Sequence, residues 1–579
     1  MIPNTMGNRG RTAMDSPSTP APPPRPADWW RRGVVYQVYP RSFADTDGDG
    51  IGDLAGIIEH LDYLDDGSPG SLGISAIWLS PIYPSPGYDS GYDVSDYTAI
   101  DPRFGSLVDF ERLVAEAHRR GIGIILDQVL NHTSFVHPWF VESRSGRVGP
   151  RSDWYIWRDP AGHDRTGRPR RPNNWVSFFG GPAWTWDETR EQFYLHTFLP
   201  EQPDLNWRNP AVRAALLDVL RTWLERGVDG FRFDVFNAFF KDVALTSNPR
   251  RLGGRRAYSR QVHLYDKNRP ELLDLLVDIR RIVDERPGRM TVGELFEGTV
   301  AQAAAYAAPG HLVFDFSLIQ QPWRASAFAA AIADREAAFG PDGWPSIVFS
   351  NHDQPRAASR FDDGVHGDAR AKVAATMALT LRGTPFLYYG EEIGLRDVAI
   401  PRDEIQDPAA RRPAFLSGWW NRDQARTPMP WGPGAHAGFS TGRPWLRMGP
   451  ESATRTVAAQ AADPTSILAH YRRLIWLRRS LPVLAIGSYE QLEIGGSSVL
   501  AYLRGAVPPG AGASGPVAAG DDRSALVVLG FGNRPVHLEL PPSPSGRPWR
   551  PRLSTHESLP SDGRSLELRP IEAVIFVDD

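Results

Sequence analysis

The sequence predicts an α/β fold: a (β/α)8 TIM barrel, with an inserted small domain after the third strand and a C-terminal all-β sandwich domain. Short runs rich in Val, Ile, Phe and Tyr alternate with amphipathic stretches, which is typical of strands alternating with helices. The runs are almost continuously apolar, as in parallel strands that are covered on both faces. Eight such runs match the strand number of this barrel.

Composition limits the function classes. The 579 residues include 64 basic and 68 acidic side chains, a net charge of -4. This balance excludes a global basic field for nucleic acid. Cysteine is absent, which excludes disulfides and thiol catalysis. The lack of long apolar runs and of a secretory h-region favours a cytoplasmic protein without membrane partners. We expect a monomer or small homo-oligomer, a choice that the sequence leaves open.

The eight predicted barrel strands can be placed along the chain. They cover 34–40, 74–80, 122–130, 230–235, 290–296, 312–316, 346–351 and 384–389. Amphipathic helices are predicted between several of them, for example at 107–121 and 210–227. In the second helix Leu216, Leu220 and Leu224 fall on one face.

The spacing of these elements predicts five segments. Residues 1–28 are rich in Pro and Ser and are predicted to be a disordered N-terminal tail. About 100 residues separate the third and fourth strands, too many for a structureless loop. We therefore predict an inserted domain at 133–203, between barrel parts at 29–132 and 204–484. Alternating strands at 485–579 predict the C-terminal β domain, with a flexible hairpin loop at 506–521.

Acidic residues end four of the predicted strands. Asp127, Asp234, Glu294 and Asp353 lie at or just after the carboxyl ends of the third, fourth, fifth and seventh strands. Catalytic groups of this barrel lie at the carboxyl ends of strands. A single acidic residue there is as well explained by a turn, but four at one face indicate acid/base or metal chemistry.

These residues lie in motifs that resemble a known family. The sequence resembles the four short regions of the α-amylase superfamily, glycoside hydrolase family 13, at DQVLNH (127–132), GFRFDVFN (230–237), GELFE (293–297) and FSNHDQPR (349–356). It also resembles the exo-acting oligo-1,6-glucosidase and α-glucosidase branch, at YDSGYDVSDY (88–97), QPDLNW (202–207) and RDQARTPMPW (422–431).

The resemblance implies a retaining glycosidase mechanism. Asp234 would be the nucleophile, Glu294 the general acid/base and Asp353 the third carboxylate. Two carboxyl groups about 5–5.5 Å apart would flank the scissile bond. Arg232, two residues before Asp234, would keep that carboxylate ionised, while burial would keep Glu294 protonated.

The resemblance also implies a set of sugar-binding residues. With Asp353, His132 and His352 would hydrogen-bond the sugar 2- and 3-hydroxyls. Asp89 would grip the 4-hydroxyl of the non-reducing glucose together with Arg422, which is favoured over Arg426. Two aromatic residues complete the set: Tyr92 would stack on the sugar ring and Phe179 would form an aromatic wall.

The segment DTDGDGIGD at 45–53 is a candidate cation site. Asp45, Asp47, Asp49 and Asp53, with the carbonyl of Ile51, could surround one hard cation with oxygens. The resemblance implies a structural Ca2+, and the same ligands suit Mg2+. An Asp/Gly turn cluster is the alternative.

The predicted function is an exo-acting retaining α-glucosidase, and the sequence leaves open how much transglucosylation accompanies hydrolysis. It would release glucose from the non-reducing end of a short α-linked oligosaccharide or disaccharide. Val235 resembles enzymes that act on α-1,6 bonds, but the choice between α-1,4 and α-1,6 stays open. One alternative is trehalose synthase or sucrose-isomerase-like glucosyl transfer on the same scaffold. Another is a catalytically silent sugar-binding or transporter-associated homologue, against which the three intact carboxylates argue.

Overall fold

A computed structural model describes residues 26–254, 256–411, 421–505, 522–556, 558–560 and 563–579. The predicted disordered tail lies outside the described residues up to residue 25, and the predicted loop at 506–521 lies wholly outside them. No described helix is long and apolar enough to cross a membrane.

Strands and helices alternate through most of the chain. The strands are β1 (Val35–Val38), β2 (Ala76–Leu79), β3 (Gly123–Gln128), β4 (Trp157–Arg158), β5 (Trp184–Asp187), β6 (Gln192–Leu195), β7 (Gly230–Phe233), β8 (Met290–Glu294), β9 (Leu312–Phe314), β10 (Ser346–Val348), β11 (Thr384–Tyr388), β12 (Tyr489–Leu492), β13 (Val499–Arg504), β14 (Ala525–Gly530), β15 (Val536–Glu539), β16 (Trp549–Ser554), β17 (Ser565–Leu568) and β18 (Ala573–Asp578). The α-helices are α1 (Trp29–Arg32), α2 (Leu54–Glu59), α3 (Leu61–Leu64), α4 (Leu107–Arg119), α5 (Pro138–Arg144), α6 (Pro210–Glu225), α7 (Glu271–Val283), α8 (Val300–Ala307), α9 (Ala325–Phe339), α10 (Ala357–Arg360), α11 (Gly367–Thr380), α12 (Pro408–Arg411), α13 (Val457–Ala461), α14 (Ile467–Ser480) and α15 (Pro482–Ile486).

Eight parallel strands form a nearly closed barrel. Their order is β10-β11-β1-β2-β3-β7-β8-β9, and every neighbouring pair in it is parallel. Each strand lies within one of the eight apolar runs, so the predicted barrel is confirmed. All residues of these strands are buried, because helices cover the outside and side chains fill the inside.

Local sequence signals fix the barrel helices. Ser106 caps α4 through a capping box with Asp109, which satisfies amide donors at the helix start. Asn209 caps α6, and Pro210 occupies its first turn. The apolar face of α6 is buried against the barrel, as its 3.6-residue period predicts.

The segment between β3 and β7 contains a three-stranded antiparallel sheet, in the order β4-β6-β5. A buried ion pair links the end of this segment to the barrel: Lys241 Nζ, after β7, lies 3.0 Å from Asp204 Oδ2. Asn131, at the end of β3, donates to the other oxygen of Asp204 at 3.1 Å. The inserted sheet is thereby held above the carboxyl end of the barrel.

The C-terminal region is an antiparallel β domain. Its five-stranded sheet has the order β12-β13-β14-β18-β16, and β15 pairs with β17. The apolar alternation that predicts this domain does not mark β12 or β16. β12 reads YEQL and is only partly buried, and β16 contains Pro551, so neither shows a clean apolar alternation.

Two buried arginines lie where this domain meets the barrel, and neither forms an ion pair with a carboxylate of the described residues. Arg504 donates to the carbonyls of Thr380, Leu484, Gly487 and Ser488. Arg478 donates to Leu484 at 2.8 Å and, among others, to the carbonyls of Leu379 and Gly383, both at 3.0 Å. Thr380 ends α11, whose unpaired carbonyls favour a positive charge. Burial lowers the pKa of Arg478 to about 9 and that of Arg504 to about 10, so both carry charge at neutral pH.

We expect Arg504→Met to destabilise the protein, because it leaves several buried carbonyls without a donor. Each such group costs roughly 1–3 kcal/mol. Calorimetry should show a lower Tm for Arg504→Met than for Arg473→Met, which is a matched change at an exposed position of α14. Equal Tm values would contradict this role.

Candidate active site

Charged side chains from four barrel strands meet at one end of the barrel. Asp127 lies in β3, Arg232 in β7 and Glu294 at the end of β8. Asp127 and Arg232 face each other in the register of neighbouring strands. Asp234 follows β7 directly, and Asp353 follows β10, so the chain brings these groups to one face as predicted from the strand ends.

Arg232 is the centre of this cluster. Its Nη1 donates to Asp127 at 2.7 Å and to Asp234 at 2.8 Å, and its Nη2 donates to Glu294. The side chain is almost wholly buried, and its guanidinium lies 5.2 Å from the ring centre of Trp78. One cation therefore orients both predicted catalytic carboxyl groups at once.

The pKa values of the two predicted catalytic carboxyl groups are both raised. Burial raises the pKa of Glu294 despite the opposing charge of Arg232. Burial also raises the pKa of Asp234, well above its usual range, and a hydrogen bond with Glu294 adds to the rise. Two adjacent carboxylates repel each other, so the pair titrates as a unit and binds a proton more readily than an isolated carboxylate. The ionised state of Asp234 in the reaction stays a prediction.

Asp353 has the opposite electrostatics. Burial alone would raise its pKa, but His352, Arg422 and Arg426 together hold the pKa of Asp353 well below its usual range. Arg426 Nη2 donates to Asp353 Oδ1 at 2.6 Å, and Arg422 Nη1 reaches the same oxygen at 3.4 Å. Asp353 is therefore the carboxylate that stays ionised.

A second ion pair closes the bottom of the cavity. Arg422 Nη2 donates to Asp89 Oδ1 at 2.6 Å, and both side chains are buried. Gln202, from the QPDLNW segment, donates to the other oxygen of Asp89 at 3.2 Å. The structure thus joins Asp89 to Arg422, whereas Arg426 binds Asp353.

His132 and His352 take different places. The Nε2 atom of His132 lies 3.0 Å from the carbonyl oxygen of Tyr92, and the ring borders the cavity. His352 lies behind the cavity wall: its Nε2 is 2.7 Å from the Tyr92 hydroxyl and its Nδ1 is 2.8 Å from Gln37. Burial lowers the pKa of His352 to about 3, so the ring is neutral. Its ring stacks on Tyr92 and fixes that side chain.

The cavity has a volume of about 230 Å³, below the roughly 300–1,000 Å³ of sites for drug-sized ligands. Eight of the predicted catalytic and sugar-binding residues line this cavity: Asp89, Tyr92, His132, Phe179, Asp234, Glu294, Asp353 and Arg422. Arg232 and His352 lie behind this lining. Phe179 packs against Arg422, with the guanidinium 5.1 Å from the ring centre. Phe178, Phe198, Phe296 and Phe316 widen the aromatic wall.

Val235 also lines the cavity, in a strained backbone conformation. Its φ of 36° and ψ of 39° lie in the left-handed region, which a β-branched residue rarely adopts. Such strain persists only where the surrounding structure enforces it, and it concentrates at functional sites. The turn at Val235 follows Asp234 directly and carries the chain away from the cluster.

The predicted cation loop brings three carboxylates together. Ligand oxygens of Asp45, Asp47 and Asp49 lie within 4.8 Å of one another. Partial burial, with the neighbouring negative charges, raises the pKa of Asp49. Asp53 has another use, because its carboxylate caps α2 through Gly56 and accepts the Thr46 amide at 2.8 Å. Ile51 donates its amide to Asp49 at 2.7 Å. The converging groups are all oxygens, which fits a hard cation.

Several site residues were absent from the predicted set. Asp127 was identified as a strand end but given no role, although it binds Arg232. Asp407, which binds Arg422, lies in a loop whose sequence shows no period or motif that would reveal it. Gln202 could have been found, because it opens the recognised QPDLNW segment.

Comparison with known proteins places this geometry in context. The family described as alpha amylase, catalytic domain, matches residues 37–487. A probable alpha-glucosidase of Rhizobium meliloti (strain 1021) is 45% identical over 492 residues, 82% of this chain and 87% of that protein. An oligo-1,6-glucosidase of Parageobacillus thermoglucosidasius is 38% identical over 497 residues, 80% and 85% of the two chains. The crystal structure of the alpha-glucosyl transfer enzyme XgtA superposes with a TM-score of 0.85 at 39% identity, covering 96% of this chain and 100% of that one.

The raised pKa of Glu294 predicts a pH-dependent stability gain in Glu294→Gln. A carboxyl whose pKa is raised by folding costs no stability below its unfolded pKa, and the cost grows as pH rises through the folded pKa. The variant should therefore exceed the parent Tm by roughly 1–3 °C at pH 8 and by less at pH 4. Thermal scans across this range would measure it, with Glu188→Gln, at an exposed site, as the control. A gain that is the same at every pH would contradict the assignment.

Proposed function

The chain belongs to the alpha-amylase family of glycoside hydrolases, and we propose that it is an exo-acting, retaining α-glucosidase. The observation that carries the proposal is the small cavity whose lining brings Asp234, Glu294 and Asp353 together with the Asp89–Arg422 ion pair. Its substrates are short α-linked oligosaccharides or disaccharides.

The carboxyl pair performs double displacement at the anomeric carbon. Asp234 attacks that carbon while Glu294 protonates the departing glycosidic oxygen, which gives a covalent glucosyl ester on Asp234. Glu294 then takes a proton from water, which attacks the same carbon and releases glucose with its configuration retained. For the first step Glu294 must carry a proton and Asp234 must be ionised. The glycosidic oxygen, as a hydrogen-bond acceptor beside Glu294, favours that arrangement, and Arg232 stabilises the ionised Asp234.

The other wall residues bind the non-reducing glucose. Asp353 stays ionised and accepts hydroxyl hydrogens at the 2- and 3-positions, beside His132. Asp89 and Arg422 bind the 4-hydroxyl, and Tyr92 packs against the ring. Because the ion pair blocks the floor, a chain cannot pass through the cavity, and cleavage is limited to its terminal glucose.

Glucosyl transfer is the second candidate, favoured by the aromatic wall. Phe178, Phe198, Phe296 and Phe316 form an apolar surface beside the acid/base residue, on which an acceptor other than water can pack. The similarity to a glucosyl transfer enzyme supports the same view. Val235 and the oligo-1,6-glucosidase relative favour α-1,6 bonds among the substrates. A cytoplasmic location and a monomer or small homo-oligomer stay predictions.

A substrate panel tests the function. We expect glucose from maltose or isomaltose, with the α-anomer formed first, and turnover of starch at least about tenfold slower, since its chain ends are few and its interior cannot enter. Proton NMR resolves the anomers and any sucrose isomers. Asp234→Asn is the inactive control. A first-formed β-anomer or rapid release of internal fragments from starch would contradict the proposal, and conversion of sucrose chiefly to an isomer would favour transfer.

We also propose that Asp45, Asp47 and Asp49 bind a structural Ca2+. Mg2+ is the other ion that these oxygens suit. Asp53 and the carbonyl of Ile51 complete the predicted ligand set. The ion would neutralise three adjacent carboxylates and stiffen the loop after β1, and it takes no part in the proposed bond cleavage.

Chelation tests this cation. Removing an ion present at a hundredfold excess over its Kd costs about 2.7 kcal/mol, so a chelator should lower the Tm and added Ca2+ should restore it. Asp47→Asn should weaken the response, and Asp66→Asn, at an exposed acid outside the loop, should keep it. If neither the chelator nor added Ca2+ changes the Tm, the proposed cation site is refuted.

A further inference from the structure

Asp407 lies behind the Asp89–Arg422 pair of the cavity wall, in the loop that follows β11. It is fully buried, and it accepts hydrogen bonds along one edge of the Arg422 guanidinium: Nε at 3.2 Å and Nη2 at 2.8 Å. The backbone amide of Arg422 donates to the same carboxylate at 3.0 Å. This is the two-point geometry that gives arginine–carboxylate pairs their directional strength.

The neighbouring residue completes a reciprocal contact between two loop segments. Asp423 accepts the backbone amides of Gln406 at 2.6 Å and Asp407 at 3.0 Å. Thus Asp407 binds the main chain and side chain of Arg422, while Asp423 binds the main chain at Asp407. The two segments hold each other in place on both sides of the guanidinium.

The donors of Arg422 are divided by this arrangement. Nε and one hydrogen of Nη2 serve Asp407, and the other hydrogen of Nη2 serves Asp89 at 2.6 Å. Nη1 is left on the cavity side, where it reaches Asp353 at the longer distance of 3.4 Å. A planar guanidinium held along one edge cannot rotate, so its opposite edge keeps a fixed direction.

We propose that Asp407 is a positioning residue that fixes the rotation of Arg422, so that Nη1 and Asp89 present a donor and an acceptor to the sugar. Without it, Arg422 would turn its Nε edge toward the two remaining acids, Asp89 and Asp353. Asp89 and Asp353, which already accept hydrogen bonds from Arg422, would then face its Nε edge, and the 4-hydroxyl would lose the Nη1 donor and a free acceptor position on Asp89. The inference rests on the proposed α-glucosidase function and adds a residue that the sugar never touches.

The test compares an aryl α-glucoside with its 4-deoxy analogue. In Asp407→Asn we expect kcat/KM for the glucoside to fall roughly ten- to a hundredfold, mostly through KM, because a charged hydrogen bond to the 4-hydroxyl is lost. The 4-deoxy analogue cannot make that bond, so its kcat/KM should change less than about threefold. The selectivity between the two substrates should therefore collapse.

Asp403→Asn is the matched control, because it removes an exposed acid from the same loop. This control variant should have the same kcat/KM as the parent protein on both substrates. If Asp407→Asn does not fold, Asp407→Glu keeps the charge but displaces the guanidinium, and it should reduce the selectivity in the same direction. Equal losses on both substrates would mean a merely structural role and would overturn the inference. Wild-type protein that cleaves neither substrate would overturn the proposed function itself, and this inference with it.

Discussion

The site depends on one buried cation that satisfies three carboxyl groups. Arg232 binds Asp127, Asp234 and Glu294 from neighbouring strands, so a positive charge is placed where parallel strands alone would gather only negative ones. One charge cannot neutralise three, and the remaining repulsion, together with burial, raises the pKa of both Asp234 and Glu294. In the proposed mechanism, a raised pKa suits the group that acts as the acid. The electrostatic cost of packing acids together in the barrel would therefore serve the proposed reaction.

Arg422 applies the same principle on the opposite side of the cavity, with a different result. Its partners Asp89, Asp353 and Asp407 belong to three separate segments of the chain, and Arg426 adds a second cation beside Asp353. With more positive charge nearby, the pKa of Asp353 is lowered, whereas the pKa values of Asp234 and Glu294 near Arg232 are raised. The distribution of arginines thus shifts the acids of one small cavity in opposite directions.

The barrel could be predicted because its strands are buried on both faces and read as continuous apolar runs. The strand ends, together with family resemblance, then identified Asp234, Glu294, Asp353 and Asp89. Other features have no local signal. The half-exposed strand β12 and the proline-containing β16 lack the alternation that marks a strand. Asp407 is set in place by a contact with Arg422 that only the folded loop creates. The raised pKa of Asp234 likewise depends on depth of burial and on contact with Glu294, neither of which a linear motif encodes.

In the proposed α-glucosidase, the Asp89–Arg422 ion pair would lie beneath the bound sugar and block passage at that end of the cavity. Substrate and products would then use the same opening. The leaving group would dissociate first, water or an acceptor would enter next, and glucose would leave last. Free glucose would compete with substrate for the innermost position, so the product would inhibit the enzyme as it accumulates.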